Sequence, residues 1–283
     1  MPRPVALVTD STASIPAALV SRYRIRVAPQ ILLWGEESFR DGVDITPAAF
    51  YQRLAQAKTL PRSTQPSVMS FVEIFGELVG GGYDVLAVVI SSAMSGTYQA
   101  AMQAKEAFPQ ASIEVVDSRT TAMALGFQVL AAARAAEAGA SLAECRQVAE
   151  QAQARTGVVM AVDTLEFLQR GGRIGRASRW AGTMLRVKPI LEVRDGQVSP
   201  LEKVRTQRKA LQRLVNIVVE RLEGQQPIRL AAQHTNAEAL AQQVLAAAEA
   251  RLQPVEVLLS DVSPVVGAHV GPGTVALTYM AGL

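Results

Sequence analysis

The feature that most constrains this chain is an alternation. Short apolar runs rich in Val, Ile and Leu recur along it, and longer stretches with helical spacing of apolar residues separate them. Candidate strands are 4–10 (PVALVTD), 26–34, 84–91 (DVLAVVIS), 112–118 and 157–163, followed by 188–204, 227–234, 255–263 and 274–280. Several early runs are continuously apolar, which suits strands covered on both faces. Between them, 97–108 places Tyr98, Ala101, Met102 and Phe108 on one helical face, and 122–138 and 141–155 read as further helices. This pattern predicts an α/β fold with a mostly parallel N-terminal sheet flanked by helices. After residue 155 the pattern changes. Asp195-Gly196 between alternating arms marks a β-hairpin, and 205–223 opens near Thr206 and stops at Gly224, a helix with a glycine cap. The expected organisation is therefore an N-terminal α/β domain, 1–155, packed tightly on a C-terminal α+β domain, 156–283.

Composition narrows the function. With 283 residues, 49% hydrophobic and 19% charged, the chain can bury a sizeable core. Aromatics at 5% and a net charge of +3 argue against base stacking and against histone-like binding of nucleic acid. Cys145 is the sole cysteine, so no intramolecular disulfide or CxxC metal site exists; within a helical pattern it reads as a buried structural thiol. The N-terminus lacks the apolar core of a signal peptide, and no run is long enough to span a membrane. The expectation is a soluble, cytoplasmic, monomeric protein without stable membrane insertion and without a cofactor or metal.

Ligands of parallel α/β sheets bind beyond the carboxyl ends of strands. Three polar loops occupy such places: TDSTASIP (Thr9, Asp10, Ser11, Thr12, with Pro16 opening a helix), PRSTQPS (Ser63, Thr64 and Gln65 in a Pro-flanked turn) and SSAMSGTYQ (Ser91, Ser92, Ser95, Thr97). Each could be a helix cap alone. Together they suit a carboxylate or phosphate held by neutral donors. His269, in GAHVGPG, is placed to complete such a cradle; His234 reads as structural or capping. There is no P-loop, no GxGxxG fingerprint and no GxSxG elbow. Asp10, Ser95 and His269 can be recast as a hydrolytic triad, which residue types alone do not support. The run 168–189 carries Arg170, Arg173, Arg176, Arg179, Arg186 and Lys188 with no acid among them, and Lys203, Arg205, Arg208 and Lys209 follow. It reads either as a solvated surface or as a docking face for an acidic or phosphate-bearing partner.

Taken together, VTDSTAS (8–14), FRDGVDITPAAFYQRL (39–54), PRSTQPS (61–67), ISSAMSGTYQAA (90–101), LEFLQRGGRIGR (165–176), EKVRTQRKA (202–210) and GAHVGPG (267–273) resemble the DegV family. These are bacterial fatty-acid-binding proteins whose FakB members present a bound fatty acid to a separate kinase. The resemblance spans nearly the whole chain. It implies two α/β domains with a long-chain fatty acid, such as palmitate or oleate, between them. By the same resemblance Ser63, Ser95 and His269 hold the carboxylate, with Gly96 beside them. Arg205 corresponds to a kinase-docking arginine, and Arg173 lies in a loop expected near an acyl-phosphate head. The family commonly has Thr-Ser where this chain has Ser63-Thr64, which leaves Ser63 and Thr64 as alternatives for the contact; Met94 replaces a frequent Leu and stays apolar. The implied partners are a fatty acid kinase and an acyltransferase, with no catalysis by the chain itself. Helices 122–138 and 205–223, with 180–187, are candidates for the tail-binding wall. The competing readings are a serine-dependent acyl hydrolase using Ser95 and His269, and a lipid-responsive regulator.

Overall fold

The computed structural model describes residues 3–57, 59–180 and 187–283. β1 (Val5–Asp10), α1 (Ala17–Arg22) and β2 (Arg26–Ala28) open the chain. Pro29 divides the run 26–34, because its ring removes a ladder donor. The chain restarts as β3 (Ile31–Trp34), which pairs antiparallel with β4 (Glu37–Arg40) instead of extending β2. After α2 (Pro47–Leu54) comes β5 (Arg62–Thr64), on the other edge of β3. The stretch expected as a Pro-flanked turn is thus a short strand, bounded by Pro61 and Pro66. The region closes with α3 (Val68–Gly80), β6 (Asp84–Val89), α4 (Thr97–Lys105), β7 (Ile113–Asp117), α5 (Ala122–Glu137) and α6 (Leu142–Gln153). α4 stops at Lys105, short of the expected 108; Phe108 lies in the following turn and still packs against the core.

The first sheet is parallel throughout, ordered β2-β1-β6-β7. Its apolar runs are continuous because both faces are covered. Val85, Ala87 and Val89 face α3 and α4, whereas Leu86 and Val88 face α5 and α6. Cys145 of α6 is buried in that second layer as a free thiol, as its helical context predicts.

The second half contains β8 (Thr156–Ala161), α7 (Glu166–Arg170), β9 (Lys188–Arg194), β10 (Gln197–Val204) and α8 (Gln207–Leu222). It continues through β11 (Ile228–His234), α9 (Glu238–Leu252), β12 (Glu256–Asp261), α10 (Pro264–Val270) and β13 (Val275–Ala281). Its six strands form one mixed sheet, β10-β9-β8-β13-β11-β12. The Asp195-Gly196 turn joins β9 to β10 with φ of 51° and 78°, the left-handed pair that a two-residue hairpin requires. Thr206 caps α8 by accepting from the Lys209 amide, and Gly224 follows its end at φ 73°. α8 and α9 cover one face of this sheet; the other face, with Val158, Met160 and Ala276, looks toward α5 and α10.

α5 is the layer that the two sheets share. Its residues Ala122 to Ala133 are all buried, and it packs on β1 and β6 as well as on β8 and β13. Gln233 of β11 accepts from the Met123 amide (2.9 Å), so the second sheet caps the helix that covers the first. The third sheet, β4-β3-β5, lies with α2 against α10. His234 ends β11 in a buried position with Nδ1 3.4 Å from Asp261 Oδ1, a structural placement. Among the described residues, no helix is long and apolar enough to cross a membrane.

Candidate functional site

Four hydroxyls follow β6, and each has a different use. Ser91 Oγ donates to the Gly196 carbonyl (2.8 Å), seating the β9–β10 turn on the end of β6. Ser92 Oγ donates to Asp117 Oδ2 (2.5 Å) at the end of β7. Thr97 Oγ1 accepts from Gln30 Nε2 (2.8 Å) and is 2.8 Å from Ser95 Oγ. Ser95 alone of the four lies on the wall of an internal cavity.

Behind Ser95 stands a buried polar chain. Asp10 accepts from the Thr12 amide (3.0 Å) and hydroxyl (2.6 Å), from Gln30 Nε2 (3.2 Å) and from the Ile90 amide (2.7 Å). Burial pushes its carboxyl above the ordinary aspartate range, and these four donors offset part of that. Gln30 therefore links Asp10 to Thr97, and Thr97 fixes Ser95. A glutamine inside the apolar run 26–34 was the signal for this role, and residue-type reasoning passed over it.

The cavity lies where the three sheets meet, with about 840 Å³ of unfilled space among its lining residues, open solvent at its mouth included. β8, β9, β10 and β13 contribute Val158, Met160, Val193, Val198 and Ala276. α10 adds Val265, Val266 and Val270, and Ile90, Met94 and Ala122 close the side toward the first sheet. Of the two helices expected to line a tail-binding wall, α5 reaches the cavity only through Ala122, while α8 lies on the opposite face of the second sheet. Residues 181–186 of that expectation, Arg186 included, lie outside the described residues.

The polar rim comes from β5 and α10. Ser63 Oγ and His269 Nε2 are 2.7 Å apart, a contact between residues 206 positions apart in sequence. Thr64 also lines the cavity, and its hydroxyl donates to Gln65 Oε1 (3.3 Å). Gly96 is not on the wall; it is the N-cap position of α4, with no side chain to cap the helix, and a Cβ there would sit 3.2 Å from the Gln65 side chain. His269 is in the last turn of α10, a helix capped by Ser263, whose hydroxyl accepts from the Val266 amide (3.4 Å). Burial, reinforced by the nearby Arg173 charge, pulls the His269 pKa down to about 4. The ring is neutral at pH 7, with one N–H and one acceptor nitrogen.

Asp10, Ser95 and His269 do not form a hydrogen-bonded triad. Asp10 spends its oxygens on Thr12, Gln30 and Ile90, His269 Nε2 faces Ser63, and His269 Nδ1 has no hydrogen-bond partner among the described residues. Across the Ser63–His269 pair lies a second pocket of about 900 Å³, open to solvent, which Arg62, Arg170 and Arg173 line together with Phe167. Arg173 donates to the Met94 carbonyl (3.2 Å) and the Gly171 carbonyl (2.9 Å).

The basic run is mostly neutralised by acids from elsewhere in the chain. Arg170 pairs with Glu166 (2.7 Å), Arg176 with Asp195 (2.9 Å), and Lys188 with Asp163. Sequence spacing hid these pairings because two of the acids come from separate loops. Arg205 is not on the cavity wall; it is exposed just ahead of α8, and neither it nor Arg208 pairs with an acid among the described residues. No three His, Cys, Asp or Glu side chains converge on a possible metal position among the described residues.

The fold and site define a class: an α/β cleft protein whose apolar cavity is rimmed by hydroxyls and one neutral histidine. The family model described as "Uncharacterised protein, DegV family" matches residues 4–282, and the chain belongs to the DegV family. A DegV domain-containing protein of Streptomyces coelicolor is 38% identical over 275 residues, covering 96% of this chain and 97% of that protein. Two solved structures share the whole architecture. A DegV family protein of Thermus thermophilus, described as binding fatty acid, superimposes with a TM-score of 0.91 at 33% identity, covering 99% of this chain and 100% of the other. DegV of Bacillus subtilis, described as a fatty acid binding protein, gives 0.90 at 31% identity with coverage of 99% and 100%.

Proposed function

We propose that this protein is a cytoplasmic, monomeric carrier of a long-chain fatty acid such as palmitate or oleate. Its carboxylate is held by Ser63 or Thr64, Ser95 and His269, with Gly96 next to Ser95, and its tail fills the apolar cavity. In this reading residues 1–155 and 156–283 are the two domains that clasp it; all six strands of the larger sheet follow residue 155, which supports that division. The observation that carries the proposal is the Ser63–His269 contact at the rim of a cavity whose exposed surface is mostly apolar. A neutral ring and two hydroxyls can turn three donors toward one carboxylate, with the Arg173 charge on the same wall.

The tail supplies affinity and the rim supplies register. Each buried methylene contributes about 0.8 kcal/mol, so a tail of about fourteen gains roughly 11 kcal/mol before ordering costs. Head-group bonds add less but decide which end of the molecule faces the arginine-lined outer pocket. A separate fatty acid kinase would phosphorylate the carboxyl there, with Arg62, Arg170 and Arg173 beside the new phosphate, Arg205 on the docking face, and an acyltransferase as acceptor. Relatives with this fold described as fatty acid binding support the ligand class.

The test is extraction of the purified protein followed by mass spectrometry, with titration of oleate into delipidated protein. Co-purified fatty acid and saturable binding that weakens in Ser95→Ala and His269→Ala support the carrier. No lipid and no binding refute it. Turnover of nitrophenyl esters that disappears in Ser95→Ala would establish the hydrolase instead.

A further inference from the structure

His269 and Ser95 belong to different parts of the fold. His269 rides on α10, next to the second sheet, and Ser95 follows β6 of the first sheet. A carboxylate can touch both only if something fixes the gap between them. The loop after α7 supplies it.

Gly171 stands directly against the His269 ring. A Cβ built on Gly171 would lie 2.1 Å from His269 Nδ1 and 2.8 Å from its Cε1. Real Cβ atoms do not approach that closely, so the ring occupies the space that any side chain at 171 would take. The backbone there is ordinary, with φ −76° and ψ −9°, so conformational freedom is not why glycine stands at this position. Room for the ring is. On the other side of the same loop, Arg173 Nη1 donates to the Gly171 carbonyl (2.9 Å) and Arg173 Nε donates to the Met94 carbonyl (3.2 Å), one residue before Ser95. The guanidinium thus spans from the seat of His269 to the loop that carries Ser95, and its planar fork gives that span a set length.

We propose that Gly171 and Arg173 are positioning residues: the bare backbone of Gly171 seats the His269 ring, and Arg173 ties that seat to the Met94 carbonyl, so that His269 and Ser95 keep a fixed spacing across the cavity mouth. This rests on the carrier reading for its ligand, but not for its geometry. It also gives Arg173 a task distinct from partner docking.

A double-mutant cycle tests it, with oleate binding to delipidated protein as one readout and the ring 15N and 13C NMR signals of His269 as the other. Gly171→Ala is expected to weaken oleate about tenfold, as is His269→Ala, and the double variant is expected to bind no more weakly than His269→Ala alone. The ring signals should move in Gly171→Ala and stay in place in Gly80→Ala, at the helical end of α3, where a Cβ meets nothing within 4 Å. Arg173→Gln adds no bulk and serves if Gly171→Ala fails to fold; it should shift the ring signals and weaken oleate. Losses from Gly171→Ala and His269→Ala that multiply in the double variant overturn the proposal, and so do His269 signals unmoved by both Gly171→Ala and Arg173→Gln. If His269→Ala binds oleate as wild type does, the head-group reading fails, while the NMR arm still decides the geometry.

Discussion

Asp41→Asn isolates a buried charge that the fold holds at a cost. Asp41 is 2% exposed, in the loop after β4. Ser11 Oγ donates to its Oδ2 (2.6 Å), and the carboxylate also faces the Ser263 hydroxyl and the Val265 amide at the start of α10, although Oδ1 closes no hydrogen bond. Burial is the largest influence and outweighs these partners, with Asp10 nearby adding like charge; together they raise the pKa from 3.8 to about 6. The folded state therefore binds this proton more tightly than the unfolded chain does. The stabilisation from a protonated Asp41 is complete below about pH 3.8 and is lost as pH rises through about 6. At about 1.36 kcal/mol per pKa unit, the shift amounts to roughly 3 kcal/mol. Asparagine cannot ionise, so it removes this pH dependence whatever constant offset it adds. Urea unfolding of both proteins at pH 4, 5, 6 and 7 measures the difference in stability at each pH. That difference should move by about 2.4 kcal/mol in favour of Asp41→Asn between pH 4 and pH 7, with most of the change above pH 4.5. A difference that stays flat within 1 kcal/mol would mean that water reaches the carboxylate, and the account of Asp41 as a dry clamp between the first sheet and α10 would be wrong.

Three further outcomes follow from the packing. Ser95→Ala should weaken oleate about tenfold or more, since a hydrogen bond to a charged group is worth about 1.5–3 kcal/mol; calorimetry that finds less than a twofold change would remove Ser95 from the head-group site. Ala276→Phe should abolish lipid co-purification while changing stability by less than about 2 kcal/mol, because the ring enters open space rather than a filled core; loss of 3 kcal/mol or more in denaturant unfolding would mean that the cavity is packed in solution. Ser91→Ala should cost about 1 kcal/mol in urea unfolding by freeing the hairpin turn from β6; an unchanged midpoint would show that the Gly196 contact contributes nothing.

How far the sequence could be read differs from element to element. The run Val85–Val89 announced a strand covered on both faces because every side chain in it is apolar. Asp195-Gly196 announced its turn because few residue pairs tolerate two left-handed positions in succession. The division of 26–34 between two sheets was harder to see: Pro29 marks a break but does not say where the next strand will pair. PRSTQPS looked like a turn since its partner, β3, comes thirty residues earlier. The basic run looked unneutralised because Asp163 and Asp195 reach it only through folding.

The sequence by itself determined the layered α/β plan, the hairpin, the caps of α8, the inert cysteine and the shortlist of hydroxyls and histidine, since each depends on local periodicity, backbone preference or residue chemistry. Tertiary structure decided which hydroxyls were already spent, that Ser63 meets His269 across 206 positions, and that Gly171 leaves room for a ring. Those are facts of distance between segments remote in the chain, and side-chain periodicity carries no distances beyond the element that displays it.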